Sequence, residues 1–139
     1  DGPLAVDVSS AGPPVRYLGT VAVDEVAGLL AGALAGLSPN TRVHREGSPM
    51  KLYETVACGT PVVASDVAGQ REEVLAGGVG VLYRHDDPIA LATAVSRLAN
   101  ADEERHEMAG RATAVASQHT WLARARVVAA AVDVVLGRT

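Results

Sequence analysis

Apolar residues recur along the chain in two rhythms. In DEVAGLLAGALA (24–35), Val26, Leu29, Leu30, Ala33 and Leu34 share one face at helical spacing, with Asp24 as the expected N-cap. Gly28 and Gly32 lie four apart on that helix and predict close backbone packing, because each costs about 1 kcal/mol against Ala. VRYLGTV (15–21) reads as a strand ending at Gly19, and GLSPN (36–40) as a brief strand with its exit loop. TRVHREGS (41–48) is a polar loop. A helix is predicted from Pro49 to about Ala57, with Ser48 as its cap, Pro49 in first position and Gly59 as its stop. PVVASD (61–66) does not alternate, as expected of a strand covered on both faces. QREEVLAG (70–77) reads as a helix and GVGVLYR (78–84) as a strand. Asp86 or Asp87 caps the next helix, which has Pro88 in first position and runs through Leu98. Two more helices are expected, from Asp102 to about Gln118 and over about 121–136. Trp121 is expected to anchor the last one to the body of the domain. Residues 1–14 are rich in turn formers, with at most a short helix around 4–10.

Strands and helices therefore alternate with short connections. That order implies parallel strands joined by right-handed crossovers, a doubly wound α/β layer. Ligands of such sheets sit off the carboxyl ends of the strands, so the loops after Thr20, Ser38 and Asp66 carry the information.

Composition narrows the classes. The 139 residues fit one domain, 1–139. Hydrophobic residues make up 48% and aromatic residues 3%, so Ala, Val and Leu must build the core. A formal net charge of −4 and the lack of a basic run argue against a nucleic-acid partner. A single cysteine excludes an internal disulfide and a cysteine-cluster metal site. No apolar stretch reaches the roughly 18 residues of a membrane span, and no signal peptide is recognisable. The expected compartment is cytoplasmic. No nucleotide-cofactor glycine fingerprint or P-loop occurs, and the four histidines show no metal-ligand spacing.

The chemistry concentrates in REGSPMKLYETVACGTPVVASD (45–66). A helix that starts near Pro49 leaves amides unpaired in its first turn, and its dipole is positive there. Met50 and Lys51 offer such amides, Lys51 adds a full charge, and Gly47 lets a ligand approach the backbone. Glu46 and Glu54 bracket this turn with seven residues between them, and Met50 shares a face with Glu54. Carboxylates accept hydrogen bonds from paired hydroxyls. Acids on both flanks of an anion cradle suit a sugar, a diphosphate and a ribose in series. Ser48 serves as a helix cap, a ligand contact or both, and His44 is a candidate on the acceptor side.

Here the sequence resembles the retaining glycosyltransferases of GT-B architecture, family 4 in particular. Glu46 and Glu54 fit that family's E-x7-E motif. ACGTPVVASDVAGQREEV (57–74), GVGVLYRHDDPIALATAVSRL (78–98) and VRYLGTV (15–21) resemble its other signatures. The resemblance implies a Rossmann-like parallel sheet flanked by helices, the C-terminal half of a GT-B fold, truncated on its N-terminal side. It implies that Glu46 meets the donor sugar as the catalytic residue and that Glu54 binds the ribose. It implies that Gly47, Ser48, Pro49, Met50 and Lys51 hold sugar and diphosphate, while Gly19, Thr20 and Val21 lie near the base. No cofactor and no metal are implied, only a nucleoside diphosphate sugar as donor of a hexosyl group. The partner is then an N-terminal acceptor domain that this chain lacks, with peripheral membrane association of the full enzyme left open. Alone, the fragment is expected to bind donor weakly and to be inactive. A sugar-nucleotide epimerase of the same architecture and a non-catalytic α/β interaction module are the alternative readings.

Overall fold

The computed structural model describes residues 12, 14–41 and 49–138. Helix α1 spans Val23–Ala31, strand β1 Gly36–Ser38, helix α2 Met50–Ala57 and strand β2 Val62–Ser65. Helix α3 (Ala68–Gly77) and strand β3 (Gly80–Tyr83) follow, and then α4 (Pro88–Ala99), α5 (Asp102–Gln118) and α6 (Trp121–Val135). The strands form one parallel sheet in the order β1-β2-β3. Leu37 pairs with Val63, and Val63 with Val81. Helices α2 and α3 are the crossovers.

Strand β2 is buried throughout, because both faces of the sheet are covered. On one face Val62 and Ala64 pack with Leu52 and Val56 of α2, Val74 of α3, Val79 and Ala112 of α5. On the other, Val63, Val81 and Tyr83 pack with Ala94 and Leu98 of α4 and Met108 of α5. This is the α/β class read from the alternation of elements.

The helix ends follow their local chemistry. Asp87, not Asp86, caps α4: its carboxylate accepts from the amides of Ile89 and Ala90 at 3.0 and 2.9 Å, with Pro88 in first position. The Ala90 amide first, then Arg84, holds this carboxyl below its ordinary value. Gly59 closes the α2 end at φ 72°, and Gly78 caps α3 in the left-handed region.

Several expectations are corrected. Residues 15–21 form no strand. Extended chain becomes a strand only through a neighbour's hydrogen bonds, and no described residue ladders with this segment. Helix α1 begins at Val23 with Ala22 as its N-cap, so Asp24 lies inside the first turn, and Gly32 ends the helix at Ala31. Among the described residues, Gly28 has nothing within 4 Å of where a Cβ would stand and Gly32 meets only its own helix, so close packing between them explains neither. Pro49 is the N-cap of α2 rather than its first residue. Helix α3 starts two residues before Gln70. Trp121 is 84% exposed and anchors nothing. None of the α6 residues is buried, because periodicity marks an apolar stripe without saying what covers it. Glu46, Gly47, Ser48 and His44, like residues 1–11, lie outside the described residues.

Candidate functional site

The carboxyl edge of the sheet is tied together by one hydroxyl. Ser65 ends β2 fully buried, and its Oγ accepts from the Asn40 amide at 2.8 Å and from Gln70 Nε2 at 3.2 Å. The exit of β1, the end of β2 and the first turn of α3 are thereby fixed to each other. Burial pushes the Tyr83 phenol up, opposed by its hydrogen bond with Ser65. Beside this, Asp66, Val67, Ala68, Arg71, Glu72 and His85 line a concavity of about 300 Å³, with Asp66 ion-paired to Arg71.

Helix α2 leaves this edge. The amides of Leu52 and Tyr53 both donate to the Pro49 carbonyl, at 2.9 and 3.2 Å. Those of Met50 and Lys51 have no partner within the helix, and Pro49 has no amide to offer. The positive end of the helix dipole lies at this turn. Leu52, Thr55 and Val56 point into the core, which turns Met50, Lys51 and Glu54 outward. Glu54 therefore lies on the outer face together with Lys51, three residues back, and Met50, four back.

Two contacts set the height of α2 over the sheet. A Cβ on Gly36 would stand 2.5 Å from Thr55 Cγ2, so the helix rests on a glycine. Thr60 Oγ1 donates to the Leu30 carbonyl at 2.7 Å and joins the α2 exit to α1. Of the base-side trio, Gly19 has φ 69°, a conformation glycine adopts without strain. Thr20 and Val21 line a concavity of about 490 Å³ with Arg16, Leu18, Glu25, Gly28 and Leu29. Met50, Lys51 and Glu54 thus share the outer face of α2, with Pro49 at its N-cap. Gly19, Thr20 and Val21 stand apart at the approach to α1, which packs beside α2.

Sequence reasoning missed a second cluster. Tyr53 on α2 donates its hydroxyl to Glu73 Oε1 of α3 at 2.9 Å. The Nε2 of His119, at the end of α5, lies 3.3 Å from the other oxygen of Glu73. The rings of Tyr53 and His119 stack at 4.7 Å between centroids, 25° apart in plane. Both carboxylate oxygens of Glu73 thus face a side chain of another element. Burial, then the Glu73 hydrogen bond and charge, push the Tyr53 phenol up to about 12, while Arg124 pulls the other way. An unfolded phenol ionises near its ordinary 10.0. Stability is therefore expected to hold below about pH 10 and to fall as pH rises toward 12, since the unfolded chain loses that proton first. Thermal melts across this range should show a shallower decline in Tyr53→Phe.

Among the described residues no group of three or more His, Cys, Asp or Glu could hold a metal ion, and no helix is long and apolar enough to cross a membrane.

Comparison with known proteins fits this geometry. A family profile described as Glycosyl transferases group 1 matches residues 2–101. A D-inositol 3-phosphate glycosyltransferase of Frankia alni is 34% identical over 112 residues, which is 81% of this chain and 27% of the relative. The enzyme of that name from Corynebacterium diphtheriae is 33% identical over 111 residues, 80% of this chain and 25% of its own length. The chain thus spans about a quarter of the length of these curated relatives. Sucrose-phosphate synthase of Thermosynechococcus elongatus shares the fold, with a TM-score of 0.77 at 23% identity over 92% of this chain and 32% of its own. A parallel sheet with helices on both faces, a profile over more than half the chain and relatives above 30% identity lead to one conclusion: the chain belongs to the glycosyl transferases group 1 family.

Proposed function

We propose that this chain is the donor-binding domain of a retaining glycosyltransferase, which moves a hexosyl group from a nucleoside diphosphate sugar to an acceptor. The observation that carries the reading is the first turn of α2. Two amides without helical partners, the positive dipole end, Lys51 and an outward Glu54 converge there, at the carboxyl edge of a parallel sheet. In this reading the backbone from Gly47 to Lys51, with Ser48, Pro49 and Met50, holds the diphosphate and the near edge of the sugar. Glu54 accepts hydrogen bonds from the ribose hydroxyls. Gly19, Thr20 and Val21 meet the base. Glu46 faces the reacting carbon of the sugar.

The chemical contribution is electrostatic. As the bond from sugar to diphosphate breaks, charge accumulates on the leaving phosphate oxygens. Amides already aimed at that position stabilise the charge without having to reorganise. The reading needs no metal and no cofactor, so donor affinity is expected to be the same with and without a chelator. Two relatives carry an inositol phosphate in their names. Acceptor choice in this protein is assigned to an acceptor domain outside these residues.

The test is a titration of the chain with several nucleoside diphosphates, followed by amide NMR. Shifts centred on Pro49 to Glu54 and on Gly19 to Val21 are expected. Silence across all ligands would overturn the reading in favour of an interaction module with incidental carboxylates.

A further inference from the structure

We propose that Tyr53, Glu73 and His119 form a latch that sets the rotation of α2 and so aims the Met50 and Lys51 amides at the diphosphate. The inference deepens the reading above and rests on it.

Tyr53 lies in the first turn of α2, and its amide closes the first four-residue hydrogen bond of the helix onto Pro49. Helical side chains lean back toward the N-terminus, so a restraint on the Tyr53 ring acts on the turn that carries the Met50 and Lys51 amides. Glu54 carries its carboxylate on a flexible exposed side chain that can follow a small rotation of α2, whereas the backbone amides of Met50 and Lys51 cannot, so the rotation acts on the amides. Core packing alone restrains this rotation weakly at that end. Leu52 is buried, while Met50 and Lys51 are exposed. On the other side, Thr55 rests on Gly36 and its Oγ1 turns back to the Lys51 carbonyl at 2.7 Å.

The latch supplies what packing lacks, namely direction. The Tyr53 hydroxyl is held by one oxygen of Glu73, and the other oxygen faces His119 at 3.3 Å. The His119 ring in turn stacks on Tyr53, closing a three-membered loop of contacts. The three residues come from α2, α3 and the corner between α5 and α6, so the loop crosses three elements. Glu73 and His119 keep 29% and 28% of their side-chain surface, which leaves the contact shielded from full solvent screening. The charged group facing this cluster from α6 is Arg124. These are positioning residues; none touches donor in this account.

The experiment compares Tyr53→Phe, Glu73→Leu and Glu73→Gln with the parent chain, using a nucleoside diphosphate and the matching nucleoside as probes. Tyr53→Phe keeps the stacked ring and loses the hydroxyl. Glu73→Gln keeps an acceptor for that hydroxyl, whereas Glu73→Leu does not. Tyr53→Phe and Glu73→Leu are expected to weaken diphosphate binding about fivefold, the worth of one hydrogen bond. Nucleoside binding should stay unchanged, and Glu73→Gln should bind like the parent. A general structural defect would weaken both probes together, and that result overturns the latch. So does parent-like diphosphate binding by all three variants. Amide exchange over Leu52 to Ala57 separates the two readings. If the parent binds neither probe, the donor reading fails. The latch then stands only if exchange in α2 quickens in Tyr53→Phe and Glu73→Leu but not in Glu73→Gln, and unchanged exchange overturns it.

Discussion

Alanine at Gly80 is expected to cost the fold about 3 kcal/mol or more, read as a large drop in the urea midpoint. Gly80 lies opposite Val62 in the β2–β3 ladder. A Cβ there would stand 2.0 Å from the Val62 carbonyl oxygen and 2.6 Å from Val62 Cγ1. The nearer atom is backbone, so no rotamer change relieves the clash. Strand β3 would have to move away, stretching the 3.0 Å bond from the Val62 amide to the Val79 carbonyl. Val62 and Val79 are fully buried, so the same movement opens the core face under α2 and α3. Overpacking a well-filled core costs about 1–3 kcal/mol, and a broken ladder bond adds about 1 more. That is a large share of the roughly 5–15 kcal/mol that holds a domain of this kind together. Gly110 provides the internal control. It lies in the exposed middle of α5 with nothing within 4 Å of its missing Cβ. Alanine there should raise the midpoint through helix propensity alone. Equal midpoints for the two variants would contradict the close contact at Gly80.

The same contrast shows what the sequence carries and what it leaves out. β2 was readable because four buried residues in a row leave an unbroken apolar run. Helix α4 was readable because Asp87 and Pro88 are local signals for a local event, the start of a helix. The start of α2 was readable to within one residue for the same reason, and helix geometry dictates that Met50 and Glu54 share a face. The segment 15–21 was not, because being a strand is a property of two segments, and its partner is not written in its own residues. Trp121 failed for a related reason. An apolar side chain signals that burial is favourable, not which surface provides it. The Tyr53–Glu73 hydrogen bond joins residues 20 apart, and His119 lies further still. No periodicity links such positions, so Glu73 reads as one more charge on a helix. Ser65 left a faint trace, a hydroxyl ending an otherwise apolar strand, but its partners Asn40 and Gln70 emerge only from the fold.

The second large effect is expected at Glu54. Changing it to Ala should weaken a nucleoside diphosphate by about 1–3 kcal/mol, or roughly five- to 150-fold, if a carboxylate that accepts from both ribose hydroxyls is lost. Its structural cost should be small, because Glu54 is exposed and packs nothing into the core. The melting temperature of the variant therefore serves as the check on folding. Glu46→Ala provides the opposite case. In the proposed arrangement Glu46 faces the sugar, which a nucleoside diphosphate lacks, so this variant should bind that probe almost as the parent does. With the complete nucleotide sugar, and an acceptor domain present, Glu46→Ala should lower turnover more than donor affinity. The two carboxylates then separate by which half of the donor each one reads. Removal of the ribose hydroxyls from the probe should erase the difference between the parent and Glu54→Ala, because the side chain would have nothing left to accept from. If the deoxy probe still separates them, Glu54 acts on the diphosphate or on the helix itself, and its role at the ribose is wrong.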